Sequence, residues 1–271
     1  MLQLGSDMTS IAVWVGVDSR GPASLHVATD SRVSWGDRDS WDHCSKSFAS
    51  TTSPDTFSFC GDVLYPSLLL SQFVAALDAG AFGLHSSERF HSLEALARDT
   101  FLSYPKSKAC NTFSVVHCAR DGEGMASQFH VNVLHWSQQS GWIAEQPKLP
   151  TTSSHLVIRL GSGIGSMKAA ASRWEQSPSS GTSRAVFSAF VDSLLSGHDI
   201  ASGGSPQLVS LFRIGGGMTS GTIFSGQRFV GGLPISSEDV RAVPRWFNEY
   251  FELCDGESMK RKPDAQIHEK S

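Results

Sequence analysis

Thr9 is followed, at set distances, by residues able to turn its hydroxyl into a nucleophile. After Thr9-Ser10-Ile11-Ala12-Val13 come Ala28-Thr29-Asp30-Ser31-Arg32, Lys46-Ser47-Phe48 and Phe59-Cys60-Gly61-Asp62. Much later come Gly161-Ser162-Gly163 and His198-Asp199-Ile200-Ala201-Ser202-Gly203-Gly204. A threonine hydroxyl attacks weakly until a base takes its proton, and the base beside the first side chain of any chain is the terminal α-amine. Loss of the residues before Thr9 would put nucleophile and base on one residue.

In this order the segments resemble a catalytic β-type subunit of the proteasome, within the N-terminal-nucleophile hydrolases, in the manner of a bacterial proteasome-like protein. The resemblance runs from Thr9 to about Ile214. It implies Thr9 as nucleophile, Asp30 as the aspartate of the Ala-x-Asp-Ser-Arg segment and Lys46 as the lysine opening the next strand. Gly61 matches the glycine whose backbone N–H meets the developing oxyanion. Ser162 falls in the Gly-Ser-Gly segment, and Asp199 and Ser202 in the Asp-x-x-Ser-Gly-Gly segment around the freed amine. The pocket beside the nucleophile would be lined by Val33, Cys44, Phe48, Phe59 and Val63, so that uncharged residues of small to medium size precede the cut. The resemblance further implies a threonine-type peptidase without cofactor, assembled as a homo-oligomer and acting on peptides or unfolded chains. It leaves room for a separate ATPase or other delivering partner.

The chemistry needs those residue types. An α-amine has an unperturbed pKa of roughly 7.7–8.0, so a useful fraction is neutral and able to accept a proton near neutral pH. A nearby ammonium pushes the amine further toward that form and favours the developing alkoxide. Lys46 can do so only while charged, and Asp30 is the anion that would keep it charged once buried. It is also the only lysine in the first hundred residues. An oxyanion donor is well supplied by backbone at a strand-to-helix turn, where glycine permits close approach.

The chain departs from the family pattern in two places. Eight residues, Met1–Met8, precede Thr9, and methionine rather than glycine stands immediately before it. Initiation at Met8, a short propeptide, and an uncut, inactive chain are all compatible with that. Asp18-Ser19-Arg20-Gly21-Pro22 reads as a turn-forming insertion in the first hairpin.

Composition fits one domain over residues 9–254, with an upstream extension at 1–8 and a polar tail at 255–271 expected to be disordered. Charged residues are 18% and hydrophobic ones 40% of the chain. The charged share is below the usual ~25%, which suggests surface buried against other subunits. The net charge of −4 with no basic block offers nucleic acid no footprint. Five cysteines without paired spacing point to a reducing compartment, and the histidines form no metal motif. With no signal-like or membrane-length apolar run, a soluble, cytoplasmic protein is expected.

Periodicity predicts strands at 11–17, 24–29, 46–50 and 56–60, helices at 66–78 and 86–103, and strands at 112–119, 129–137, 142–147 and 155–160. Helices at 164–176 and 183–197, strands at 207–214 and 222–230, and a helix around 237–252 kinked near Pro244 complete the chain. Two helices after each sheet fit an α+β, four-layer αββα sandwich. Two rival readings remain: a ring subunit without hydrolysis, and a nucleotide binder through the turn Gly161-Ser162-Gly163-Ile164-Gly165. Against the second, Ser166 stands where a third glycine belongs.

Overall fold

The computed structural model describes residues 9–35, 39–105 and 112–265. Its first strand, β1 (Ser10–Asp18), shows why the sheets stack as they do. Side chains alternate across a strand, so Ile11, Val13 and Val15 share one face while Ala12 and Trp14 share the other, and all five are buried. A strand buried on both faces needs a layer on each side.

The remaining elements are β2 (Gly21–Thr29), β3 (Val33–Trp35), β4 (Asp39–Trp41), β5 (Ser47–Ala49), β6 (Asp55–Gly61), α1 (Leu64–Asp78) and α2 (Ser86–Ser103). They continue with β7 (Thr112–Asp121), β8 (Gln128–Ser137), β9 (Gly141–Glu145), β10 (His155–Gly161), α3 (Ile164–Glu175) and α4 (Ser183–Leu195). Last come β11 (Gln207–Phe212), β12 (Met218–Phe224), β13 (Gln227–Val230), β14 (Leu233–Pro234), β15 (Trp246–Asn248) and β16 (Leu253–Cys254). One sheet runs β10-β1-β2-β11-β12-β13-β14, with β15 parallel to β12 and β16 beyond it. A second runs β5-β6-β7-β8-β9, all antiparallel, and β3 and β4 form a separate hairpin.

Three apolar clusters join these elements. Ile11, Val13, Val27 and Val209 of the first sheet meet Cys60, Val116, Cys118 and Val133 of the second, so the two sheets pack face to face. The opposite face of the second sheet, with Phe57, Phe59 and Phe113, packs on Leu70 and Phe73 of α1 and Leu93 and Phe101 of α2. The opposite face of the first, with Trp14, Ala28 and Leu208, packs on Met167 of α3 and Phe187 and Phe190 of α4. Truncating one such side chain to alanine costs about 2–5 kcal/mol. A buried polar knot also ties α2 down: Asp55 receives Arg89 at 2.8 Å and His117 at 2.6 Å.

The chain from 237 to 252 is not a helix. A single 3₁₀ turn at Val240–Ala242 precedes Pro244, whose ring removes a backbone donor, and the chain then enters β15. Trp246 lies flat on Gly221 of β12, where a Cβ would fall 2.3 Å from the indole, and this contact favours strand over helix. The expected strand 222–230 is a hairpin, since Ser225 and Gly226 take φ values of 50° and 74° and turn β12 into β13. The expected disorder from Asp255 does not hold through Ala265. Cys254 bridges Arg261, the Asp255 amide donates to the Lys260 carbonyl, and Ala265 is buried. The segments Met1–Met8 and 266–271 lie outside the described residues.

Candidate active site

Thr9 stands at the mouth of β1, where that strand is paired on both sides, with β2 and β10. Its carbonyl accepts the Ser162 amide at 3.0 Å. Gly161 makes that approach possible: its φ is +89°, and a Cβ there would lie 1.7 Å from the Thr9 oxygen. Thr9 itself has φ 121°, a conformation that a β-branched residue rarely takes.

Across the gap between the sheets, Lys46 precedes β5 and reaches back to β1 and β2. Its Nζ donates to Thr9 Oγ1 at 2.8 Å and to Asp30 Oδ1 at 2.9 Å, and all three side chains are fully buried. Burying such a pair costs several kcal/mol per ion unless further hydrogen bonds satisfy it. Asp30 has them: the amides of Ser10 (3.0 Å), Arg32 (3.1 Å) and Gly203 (3.0 Å) also donate to its carboxylate. The same carboxylate thus fixes the start of β1, the turn after β2 and the 199–204 loop.

That loop brings the remaining predicted residues to Thr9. Asp199 Oδ2 accepts Ser162 Oγ and Ser202 Oγ, each at 2.7 Å, and Ser202 Oγ lies 2.8 Å from Ser10 Oγ, one residue from Thr9. Gly61 closes β6 with φ +91°, and a Cβ there would fall 2.4 Å from the Thr112 carbonyl. Phe59, two residues earlier, donates its amide to the Lys46 carbonyl at 3.2 Å, so the glycine end of β6 lies beside the lysine strand.

The five predicted pocket residues do not share one environment. Phe59 is fully buried in the cluster beneath α1 and α2, and Phe48 and Val63 pack against that cluster. Val33 and Cys44 are buried outside it. Burial pushes the Cys44 thiol above its usual pKa, partly offset by the Lys46 charge. Beside them Arg32 holds Asp42 in a two-pronged ion pair at 2.7 and 2.9 Å, which keeps that carboxyl below the usual range.

Sequence reasoning missed three supports of the site. Gln207 donates to the Asp30 and Cys44 carbonyls and accepts the Lys46 amide at 3.0 Å, joining the segments that carry aspartate and lysine. Ser10 links Thr9 to the Asp199 group. Thr29, Ser47 and Ser58 form a buried hydroxyl chain at 3.0 and 2.9 Å between the sheets. The only available signal was polarity inside apolar strands, such as glutamine opening Gln207-Leu208-Val209.

Among the described residues, no group of three or more His, Cys, Asp or Glu is placed to hold a metal ion. No described helix is long and apolar enough to cross a membrane.

No family model matches the chain, and no curated protein matches it in sequence. Its fold does have counterparts. The Anbu complex of Pseudomonas aeruginosa, solved as a helical assembly, superposes with a TM-score of 0.51 at 12% identity over 84% of this chain and 88% of that one. Anbu, the ancestral β-subunit, from Yersinia bercovieri gives 0.49 at 12% identity over 74% and 81%. HslV from Trypanosoma brucei gives 0.47 at 13% identity over 75% and 99%. The chain therefore has the fold of the proteasome-type N-terminal-nucleophile hydrolases, in a mixed α/β arrangement with four α-helices among the described residues.

Proposed function

We propose that this protein is a threonine-type peptidase with Thr9 as N-terminal nucleophile, active once residues 1–8 are removed. The observation that carries this reading is the Lys46 ammonium donating to the Thr9 hydroxyl at 2.8 Å while the fully buried Asp30 holds it at 2.9 Å. A cation so placed lowers the free energy of the alkoxide, and the α-amine freed at Thr9 would take the proton. Ser162, Asp199 and Ser202 would orient that amine, and the Gly61 N–H would stabilise the oxyanion. The φ of 121° at Thr9 supports removal of the preceding residues, because that strain ends when the Met8–Thr9 peptide is cut.

Val33, Cys44, Phe48, Phe59 and Val63 are the proposed pocket for the side chain before the cut. The paired sheets flanked by α1–α2 and α3–α4 support a four-layer αββα arrangement in one domain over 9–254. The assembly is a homo-oligomer acting on peptides or unfolded chains in the cytoplasm, a reading supported by the low charge density and by the helical assembly of the Anbu complex from Pseudomonas aeruginosa.

Intact mass of the natively expressed protein tests the first step, with a chain beginning at Thr9 expected. That species should be labelled covalently by a threonine-directed electrophile and should cleave fluorogenic peptides, and Thr9→Ala should do neither. Undiminished hydrolysis by Thr9→Ala would sink the mechanism. A sedimentation profile showing only monomer at micromolar concentration would refute the assembly.

The nucleotide-binding alternative finds no support at its own turn. The Thr9 carbonyl fills the space beside Gly161, and Ser10 Oγ lies 1.8 Å from where a Gly163 Cβ would stand. These two glycines admit β1 rather than a phosphate.

A further inference from the structure

β1 has a second end. A cavity of about 400 Å³ opens where β1 finishes, bounded by Gly16, the start of α4 and the chain around Phe251. Gly16, on its wall, lies seven residues along the chain from Thr9, which at roughly 3.3 Å each puts it about 23 Å away. Its size falls within the range of small-molecule sites.

The walls combine aromatic surface with one unmatched charge. Phe247 and Phe251 line it, stacked with ring centroids 4.6 Å apart. Both lining carboxylates are engaged: Asp18 by Arg213 at 2.6 and 2.9 Å, and Glu252 by Asn248 at 2.8 Å and Arg184 at 3.5 Å. Arg245 is different. Its guanidinium sits 4.3 Å over the Phe212 ring at the cavity edge, and among the described residues no carboxylate lies within ion-pair distance of it.

The other groups facing this arginine do not supply a counter-charge. His26 is buried between the hydroxyls of Ser24 and Ser210, at 2.8 and 2.7 Å. Burial, and then the Arg245 charge, push its pKa down to about 3, so it is neutral at physiological pH. α4 begins at Ser183, which turns the positive end of the helix toward the same space. Gly16, on the cavity wall, lets the hydroxyls of Ser24 and Ser183 close in on β1: a Cβ there would lie 2.4 Å from Ser24 Oγ and 3.2 Å from Ser183 Oγ.

We propose that this cavity binds a small monocarboxylate with a flat aromatic body, its carboxylate on Arg245 and its ring against Phe247 and Phe251. The guanidinium fork can pair two-point with a carboxylate or a phosphate, and the choice rests on charge: one free cation neutralises a single carboxylate but not a phosphate dianion. Phe251 stacks face-on against the buried Phe247, so an aromatic body would meet what these rings leave exposed at the cavity wall. The site is independent of hydrolysis at Thr9, so it stands or falls separately from the proposed peptidase activity.

Calorimetric titration of the full chain with phenylacetate, its neutral analogue phenylacetamide and inorganic phosphate tests this. Phenylacetate should bind at least about tenfold more tightly than phenylacetamide or phosphate. Arg245→Gln should erase the preference for the acid, and Arg245→Lys should keep part of it. Thr9→Ala should bind phenylacetate like the parent chain. Equal binding of acid and amide, equal binding of phosphate, no phenylacetate binding at millimolar concentration, or unchanged affinity in a folded Arg245→Gln would each overturn the proposal. The comparison of probes on the parent protein decides the matter even if a variant fails to fold.

Discussion

Lys46 Nζ lies 2.8 Å from Thr9 Oγ1 and 2.9 Å from Asp30 Oδ1, with no solvent reaching any of the three side chains. One ammonium thus connects the hydroxyl that would react to the buried carboxylate that pairs with it. Removing Lys46 takes away both the donor to Thr9 and the counter-ion of Asp30. Lys46→Ala should therefore lose peptidase activity nearly as completely as Thr9→Ala, and the double variant should be no worse than either single one. Single-turnover assays on protein already beginning at Thr9 keep this apart from any effect on processing.

Asp30 accepts the Lys46 ammonium and three backbone amides, so its loss reaches further than one ion pair. Asp30→Ala should lower stability by about 3–5 kcal/mol, because it leaves a buried ammonium without its anion. Asp30→Asn combined with Lys46→Met should be less destabilised than the sum of its parts, since each partner is costly mainly when left alone. Urea unfolding of the parent, Asp30→Ala, Asp30→Asn, Lys46→Met and the double variant measures both quantities.

Gly161→Ala should misplace Thr9. A methyl group there would stand 1.7 Å from the Thr9 carbonyl oxygen, and φ +89° is itself unfavourable for alanine. A shift of about 1 Å in a nucleophile can cost roughly a hundredfold in rate. We expect kcat/KM to fall by about that factor, with stability reduced by about 1–3 kcal/mol. A fluorogenic peptide assay beside a thermal melt separates the two effects, and full activity in a folded Gly161→Ala would contradict the geometry.

Phe59 is fully buried beneath α1 and α2, so Phe59→Ala should cost about 3–5 kcal/mol whatever its part in substrate choice. If it floors the pocket, the variant should also shift preference before the cut from alanine, valine or leucine toward phenylalanine or tyrosine. A peptide panel reads the profile independently of stability. A preference for arginine or glutamate, or an unaltered profile in the variant, would remove these five residues from the pocket.

His26 gives the acid limb of stability a definite shape. Its folded pKa is about 3 against an unfolded value near 6.5, lowered by burial and by Arg245. The unfolded chain binds a proton here first as pH falls, so stability present above pH ~6.5 is lost progressively down to pH ~3. Replacing His26 with glutamine should flatten the dependence of the urea midpoint over that window. An equally steep limb in the variant would assign the loss to other groups.

The sequence by itself singled out candidate site residues more readily than it determined the chain's last third. Thr9, Asp30, Lys46, Ser162, Asp199 and Ser202 could be named because each sits in a short segment that resembles one of a proteasome β-type subunit. The alternation in β1 and the helical spacing over Leu64–Asp78 and Ser86–Ser103 were equally legible, because period and burial act on neighbours in the chain. Only tertiary structure decided the rest. Residues 237–252 carry apolar side chains that suit a helix, yet Trp246 is held flat on Gly221, twenty-five residues away, and no local pattern reports such a partner. Gln207 reads as the first residue of an ordinary strand until the fold sets it against the carbonyls of Asp30 and Cys44 and the amide of Lys46. Local propensity depends on what lies within a few residues, whereas the contacts that fixed these segments are paid out along a chain distance that only folding can close.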